Sequence, residues 1–276
     1  SFMAVWLALR YLKDVKLAEA HFETTKKAAD GPLSRAKAAY WLGRVAEAKG
    51  DKAAAETHYR AATDDPDTFH GQLSRQKLEP GRKSIMIKAP AEPTAEQIAA
   101  FTSSDAVKAV VVARKASLDP SLLRGFIVHL RSVFPSEAEL ALVAHLSEAV
   151  GDTQMAVRTG KAAIGDRKNL LYYAYPVHPL PAYTPLRKPP ETAYLLGIAR
   201  QETEFNSLIV SGAGAKGLLQ VMTITAKHVC ATYKVKCDIP RLLSDPAYNT
   251  MMASAYIGDR MAGLLQKSAK PTRAPP

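Results

Sequence analysis

The residues with most chemical potential lie at 191 to 229, ETAYLLGIARQETEFNSLIVSGAGAKGLLQVMTITAKHV. A helix over 191–204 would place Tyr194, Leu195, Ile198, Ala199 and Glu202 on one face, with Phe205 continuing it. A carboxylate on an apolar stripe is costly unless paired or neutral. Burial there would raise its pKa toward the value a general acid needs near neutral pH. Glu202 is therefore the candidate proton donor, and pairing with Arg200, Lys216 or a backbone amide is the plain structural alternative. Glu204, two residues on, points to another face and reads as solvent-facing. In SGAGAKG the small residues let backbone approach closely, but the segment lacks the GKS or GKT ending of a phosphate-binding loop, which argues against a nucleotide site. Cys230 and Cys237, in VCATYKVKCD, are too few for structural zinc, and no histidine pair completes a site. They are a candidate disulfide in an oxidising compartment, with two free thiols as the alternative.

These groups need a scaffold, and the composition predicts an all-α one. Strand-like runs bounded by turns do not occur, and 47% of the 276 residues are hydrophobic, enough for a sizeable core. In SRAKAAYWLGRVAEAKG (34 to 50) Ala38, Trp41, Leu42, Val45 and Ala46 recur at helical spacing. Ser34 is expected to cap its start, Gly50 its end and Asp51 the next helix, whose inward face is Ala54, Ala55, His58, Tyr59 and Ala62. A similar pair precedes it, giving helical-hairpin repeats over 1–80. EPGRKSIMIKAPAEP marks a Pro/Gly loop over 81–93, and helical periodicity resumes over 94–172 as a further α-superhelical segment. YAYPVHPLPAYTPLRKPP, with six prolines, predicts an extended linker over 173–190. A second domain follows over 191–276.

Net charge is +11, which favours an anionic partner. The cations are interspersed with acids, as in DVKLAEAHFETTKK, and no dense basic block or aromatic platform appears, so nucleic acid is not expected. No apolar run approaches the roughly 20 residues a membrane span needs, so stable membrane insertion is not expected either.

RQETEFN, then SGAGAKGLLQVM, then TAK, then DPAYN with a tyrosine seven residues beyond the asparagine, resembles the catalytic domain of the soluble lytic murein transglycosylases. AYPVHPLP resembles the tail that precedes that domain, and YWLGR with TFHGQL resembles the family's superhelical domain. The resemblance implies α-superhelical helix pairs followed by a lysozyme-like α domain. It implies peptidoglycan glycan strands as substrate and a periplasmic location reached by a signal peptide. It also implies cleavage between N-acetylmuramic acid and N-acetylglucosamine by one glutamate, with no cofactor and no metal. Carried over by position, Glu202 is the catalytic acid, Ser211 contacts it and the substrate, and Gln220 and Met222 line the sugar groove. Gly217 gives the groove room, and Asn249 and Tyr256 belong to the helix behind it. Thr203, Leu219, Thr223 and Ala253 stand where the family usually has serine, methionine, proline and glycine. An AYNAG segment whose tyrosine helps hold the glutamate is not in this sequence, so the lysozyme-like domain is expected to be incomplete at its C-terminus.

The leading expectation is a lytic transglycosylase, and the second is a non-catalytic peptidoglycan-binding or scaffolding relative that keeps the groove. A helical-repeat adaptor accounts for 1–165 only. The enzymatic expectation needs the Glu202 carboxyl held beside a trough formed by the Ser211 and Gln220 segments, away from bulk water.

Overall fold

Capping chemistry sets where the helices begin and end. The computed structural model describes residues 2–82, 87–178 and 180–268. Among them every regular element is helical, with isolated bridges joining Lys216 to Val210 and Val221. The all-α expectation holds.

By packing, the chain divides into two compact units, Ser1–Ala89 with Ala162–Leu171, and Pro90–Lys161 with Tyr172–Pro276. This division differs from one drawn at the proline-rich stretch.

The first unit opens with α1 (Phe2–Leu7), which runs into a π-helical turn at Ala8–Leu12. Then come α2 (Val15–Lys27), α3 (Pro32–Lys49), α4 (Lys52–Ala62) and α5 (Phe69–Leu78). Asp51 accepts from the Ala54 amide at 2.9 Å and Gly50 takes φ +78°, as expected for the α3 to α4 turn. The start of α3 differs from expectation: Pro32 at its first position fixes the helix three residues early. Ser34 is then the third helical residue, its hydroxyl accepting from the Gly31 amide at 3.2 Å and donating to the Gly31 carbonyl at 2.9 Å. Phe22 stacks on Trp41, and Tyr40, Ala46, Ala55, Tyr59 and Ala62 form the adjoining core. Ala54 and His58 are only half-buried.

The second unit holds α6 (Ala95–Ser103), α7 (Asp105–Lys115), α8 (Pro120–Val133), α9 (Glu137–Ala149) and most of α10 (Thr153–Gly165). Phe101, Val110, Ile127, Leu130, Phe134 and Val143 fill the space between them. After the short α11 (Leu171–Ala174), the described residues between 176 and 190 contain no helix. This stretch is packed, however: Leu180, Tyr183 and Leu186 lie on the neighbouring core, and the Tyr183 hydroxyl donates to Ser254 at 3.0 Å. The unit closes with α12 (Thr192–Glu202), α13 (Thr223–Tyr233), α14 (Arg241–Ser244) and the long α15 (Pro246–Ser268). Leu195, Ala199, Leu218, Val229, Leu242 and Met252 form their shared core together with Val157 of α10. Burying each large aliphatic chain there contributes about 1.5–3 kcal/mol, so this core anchors the site described next.

Candidate active site

Helix α12 ends at Glu202, two residues before its expected end. Thr203 leaves helical geometry, and Glu204 and Phe205 then take φ of +50° and +68°, the left-handed region that non-glycine residues seldom occupy. The apolar face extrapolated through the helix therefore stops short of its carboxylate. Leu195 and Ala199 are buried, but Tyr194 is 52% exposed and Glu202 is exposed. This corrects the expectation of a buried Glu202, because the residues that should dry it turn away in the 203–205 reversal.

Glu204, expected to face solvent, is instead held. Arg158 Nε donates to one carboxylate oxygen at 2.6 Å and Lys161 Nζ to the other at 2.7 Å. Burial alone would raise this carboxyl, but the hydrogen bonds from Lys161 and Arg158 keep it below its ordinary value. Gln154, buried on the same helix, donates through Nε2 to the Thr203 carbonyl at 3.1 Å and accepts through Oε1 from Asn206 Nδ2 at 3.2 Å. Three side chains of α10 thus fix the reversal that follows Glu202, and two consecutive strained residues persist only because their surroundings over-determine them.

The loop 206–222 folds on itself by a second set of bonds. Ser211 Oγ accepts from the Ala215 amide at 3.0 Å, while the Ser211 amide donates to the Ala215 carbonyl at 2.9 Å. Lys216 and Val221 exchange backbone bonds at 3.1 and 3.0 Å around a turn in which Gly217 and Gln220 have φ of +71° and +49°. Gln220 Nε2 donates to the carbonyls of Ile209 at 3.1 Å and Gly217 at 3.0 Å. The pin is Asn249 on α15, fully buried: Oδ1 accepts from the Leu219 amide at 2.9 Å, and Nδ2 donates to the carbonyls of Lys216 at 2.7 Å and Leu242 at 2.8 Å. A Cβ on Gly217 would sit 2.1 Å from the Leu242 carbonyl oxygen and 2.5 Å from Asn249 Nδ2.

The site residues expected from the sequence are placed as follows. Asn249 is fully buried and positions the loop, and Gly217 leaves room for Asn249 and the Leu242 carbonyl. Gln220 commits its amide nitrogen to the loop. Ser211 is half-buried and spends its oxygen on the same loop. Met222, 37% exposed, precedes α13, and Tyr256 is half-buried, edge-on to His228 and under the Arg260 guanidinium. The structure brings Ser211, Gly217, Gln220 and Asn249 into one tied loop. Thr203 joins this loop to the end of α12, its hydroxyl donating to the Leu218 carbonyl at 2.9 Å. Glu202 is one residue from that contact.

A cavity of about 340 Å³ opens between the 205–208 segment and the ends of α7 to α10, with Arg114, Asp152, Gln154 and Asn206 in its wall. Asp152 is paired there to Arg124 at 2.7 Å. A larger cavity of about 630 Å³ lies within the first unit among Lys26, Arg35, Asp65 and Arg167. Neither has Glu202 in its lining. Cys230 is buried and Cys237 exposed, both as free thiols. Among the described residues no group of histidine, cysteine, aspartate or glutamate is arranged to hold a metal, and no helix is long and apolar enough to cross a membrane.

A carboxylate ending one helix, a tightly tied glycine-bearing loop and a long backing helix with a buried asparagine pin define a helical domain. Residues 186–274 match the Transglycosylase SLT domain family. Over 76 residues the chain is 34% identical to the soluble lytic murein transglycosylase of Escherichia coli strain K12, an alignment covering 27% of this chain and 12% of that protein. In fold it is similar to an inactive mutant of the lytic transglycosylase Slt from Pseudomonas aeruginosa, with a TM-score of 0.69, 19% identity, and coverage of 95% of this chain and 41% of that one. The 70 kDa soluble lytic transglycosylase from Escherichia coli gives a TM-score of 0.62 at 19% identity, covering 91% of this chain and 39% of that one. The chain therefore spans well under half the length of these relatives.

Proposed function

We propose that this protein is a lytic transglycosylase acting on peptidoglycan in the periplasm, with Glu202 as its acid and base. The observation that carries the reading is the SLT-family text RQETEFN and SGAGAKGLLQVM, joined in space where Thr203 bonds the Leu218 carbonyl. In the proposed reaction the protonated Glu202 carboxyl gives its proton to the glycosidic oxygen between N-acetylmuramic acid and N-acetylglucosamine, and the bond from C1 to that oxygen breaks. The muramic N-acetyl group stabilises the cationic sugar. The Glu202 carboxylate then takes the proton of the C6 hydroxyl as its oxygen bonds to C1, closing a 1,6-anhydro ring without water. This differs from the two-carboxylate scheme of most glycosidases. Glu202 is exposed, so the proposed reaction requires the bound glycan itself to exclude water from the carboxyl.

That exposure also supports a second reading, a peptidoglycan-binding relative without turnover. Incubation of the parent and Glu202→Gln with purified sacculi separates the two. Muropeptides lighter by one water than hydrolytic products, released by the parent and not the variant, support the enzyme. Binding with no release by either supports the scaffold.

A further inference from the structure

The turn that follows α13 brings together two cysteines that the proposed reaction does not use. Helix α13 stops where Lys234 turns left-handed at φ +53°, and the Cys230 carbonyl collects the amides of Lys234 and, at 3.1 Å, Val235. This double acceptance ends the helix and turns the chain toward Cys237. The Tyr248 hydroxyl accepts from the Asp238 amide at 3.0 Å and lies 3.9 Å from Cys230 Sγ. One buried hydroxyl thus touches both the sulfur of Cys230 and the amide that follows Cys237. Burial first, then the neighbouring Cys237 thiol, push the Cys230 thiol up to about 11.

We propose that Cys230 and Cys237 are a thiol pair that closes into an intramolecular disulfide, locking the turn between α13 and α14 against Tyr248, the neighbour of the Asn249 pin. The exposed Cys237 reacts first. Its thiolate attacks a low-molecular-weight disulfide oxidant, the oxidant's sulfur–sulfur bond breaks, and one thiol leaves. Cys230 then loses its proton and attacks the Cys237 sulfur, expelling the second thiol. Two protein thiols are oxidised and one oxidant disulfide is reduced. The reluctant ionisation of Cys230 makes the second step slow.

The test uses the reduced full chain treated with oxidised glutathione, quenched in acid and alkylated. We expect an intact mass lower by two hydrogens, neither cysteine alkylated, full reversal by dithiothreitol, and a melting temperature above that of the reduced chain. Cys230→Ser should stop at one glutathione on Cys237, and Cys237→Ser should stay unmodified because its remaining thiol is buried. A parent that also stops at the Cys237 adduct, that keeps both thiols alkylatable, or that links two chains would overturn the proposal. The outcome is independent of whether the protein cleaves glycan.

Discussion

Between residues 32 and 78 the helices are held mainly by apolar side chains, with the Arg35–Asp65 and Lys77–Glu47 ion pairs added between elements. Between residues 203 and 222 the balance is reversed, and the backbone is fixed by Thr203, Gln220 and Asn249 reaching into it. The hairpins tolerate substitutions of similar volume because their core is a sum of many weak contacts. The loop depends on a few buried hydrogen bonds, and losing one partner leaves the others desolvated and unpaired. A site of this kind is rigid because almost every polar atom in it is already spoken for.

The comparison breaks most severely at Asn249. Replacing it with alanine strands the Leu219 amide and the carbonyls of Lys216 and Leu242 in a dry interior. The expected cost is about 3–5 kcal/mol, read by urea denaturation. A loss below 1 kcal/mol would mean that the loop is not pinned as described. Two left-handed glycines give a smaller and sharper contrast. Gly217→Ala combines φ +71° with a Cβ inside contact distance of Leu242 and should cost about 2–4 kcal/mol. Gly50→Ala shares the backbone problem at φ +78° but meets nothing within 4 Å, so about 1 kcal/mol is expected. Equal effects at the two positions would show that backbone strain alone, and not crowding at the loop, decides both.

The sequence carried the hairpins well because their determinants are local. The Asp51 cap, the Gly50 turn and the Ala55, Tyr59 and Ala62 face are each set by neighbours three or four residues away. Pro32 overrode Ser34 for an equally local reason. The site was legible as text but not as geometry. The motif placed Glu202, Ser211, Gly217, Gln220 and Asn249 together, yet a helical projection carried past residue 202 misjudged both Glu202 and Glu204. The partners that set the reversal, Gln154, Arg158 and Lys161, lie more than forty positions upstream in an unremarkable helix. Nothing in their own neighbourhood marks them, since an amphipathic helix shows the same polar residues whether they meet water or another segment.

The Glu204 clamp offers the smallest effect and the most specific signature. Arg158 and Lys161 are 49% and 40% exposed, so Glu204→Gln should cost only about 1 kcal/mol at pH 7. The pH dependence tells an ion pair from a packing effect. Folding holds the Glu204 carboxyl below its ordinary value of 4.5. Its contribution is therefore fully present above that value and is lost as the pH falls through the lower folded value. Urea denaturation of the parent and of Glu204→Gln should show a gap near pH 7 that closes in acid. A gap that persists or widens in acid would rule out the charged clamp. If the clamp also orients Glu202, the variant should lower kcat on sacculi while KM stays near the parent's, because the lost contact touches the reversal and not the glycan. Arg158→Ala should lower kcat in the same way, and Arg158→Lys, which keeps a cation facing Glu204, should retain more of it; equal losses in the two would point to a purely volumetric role for Arg158.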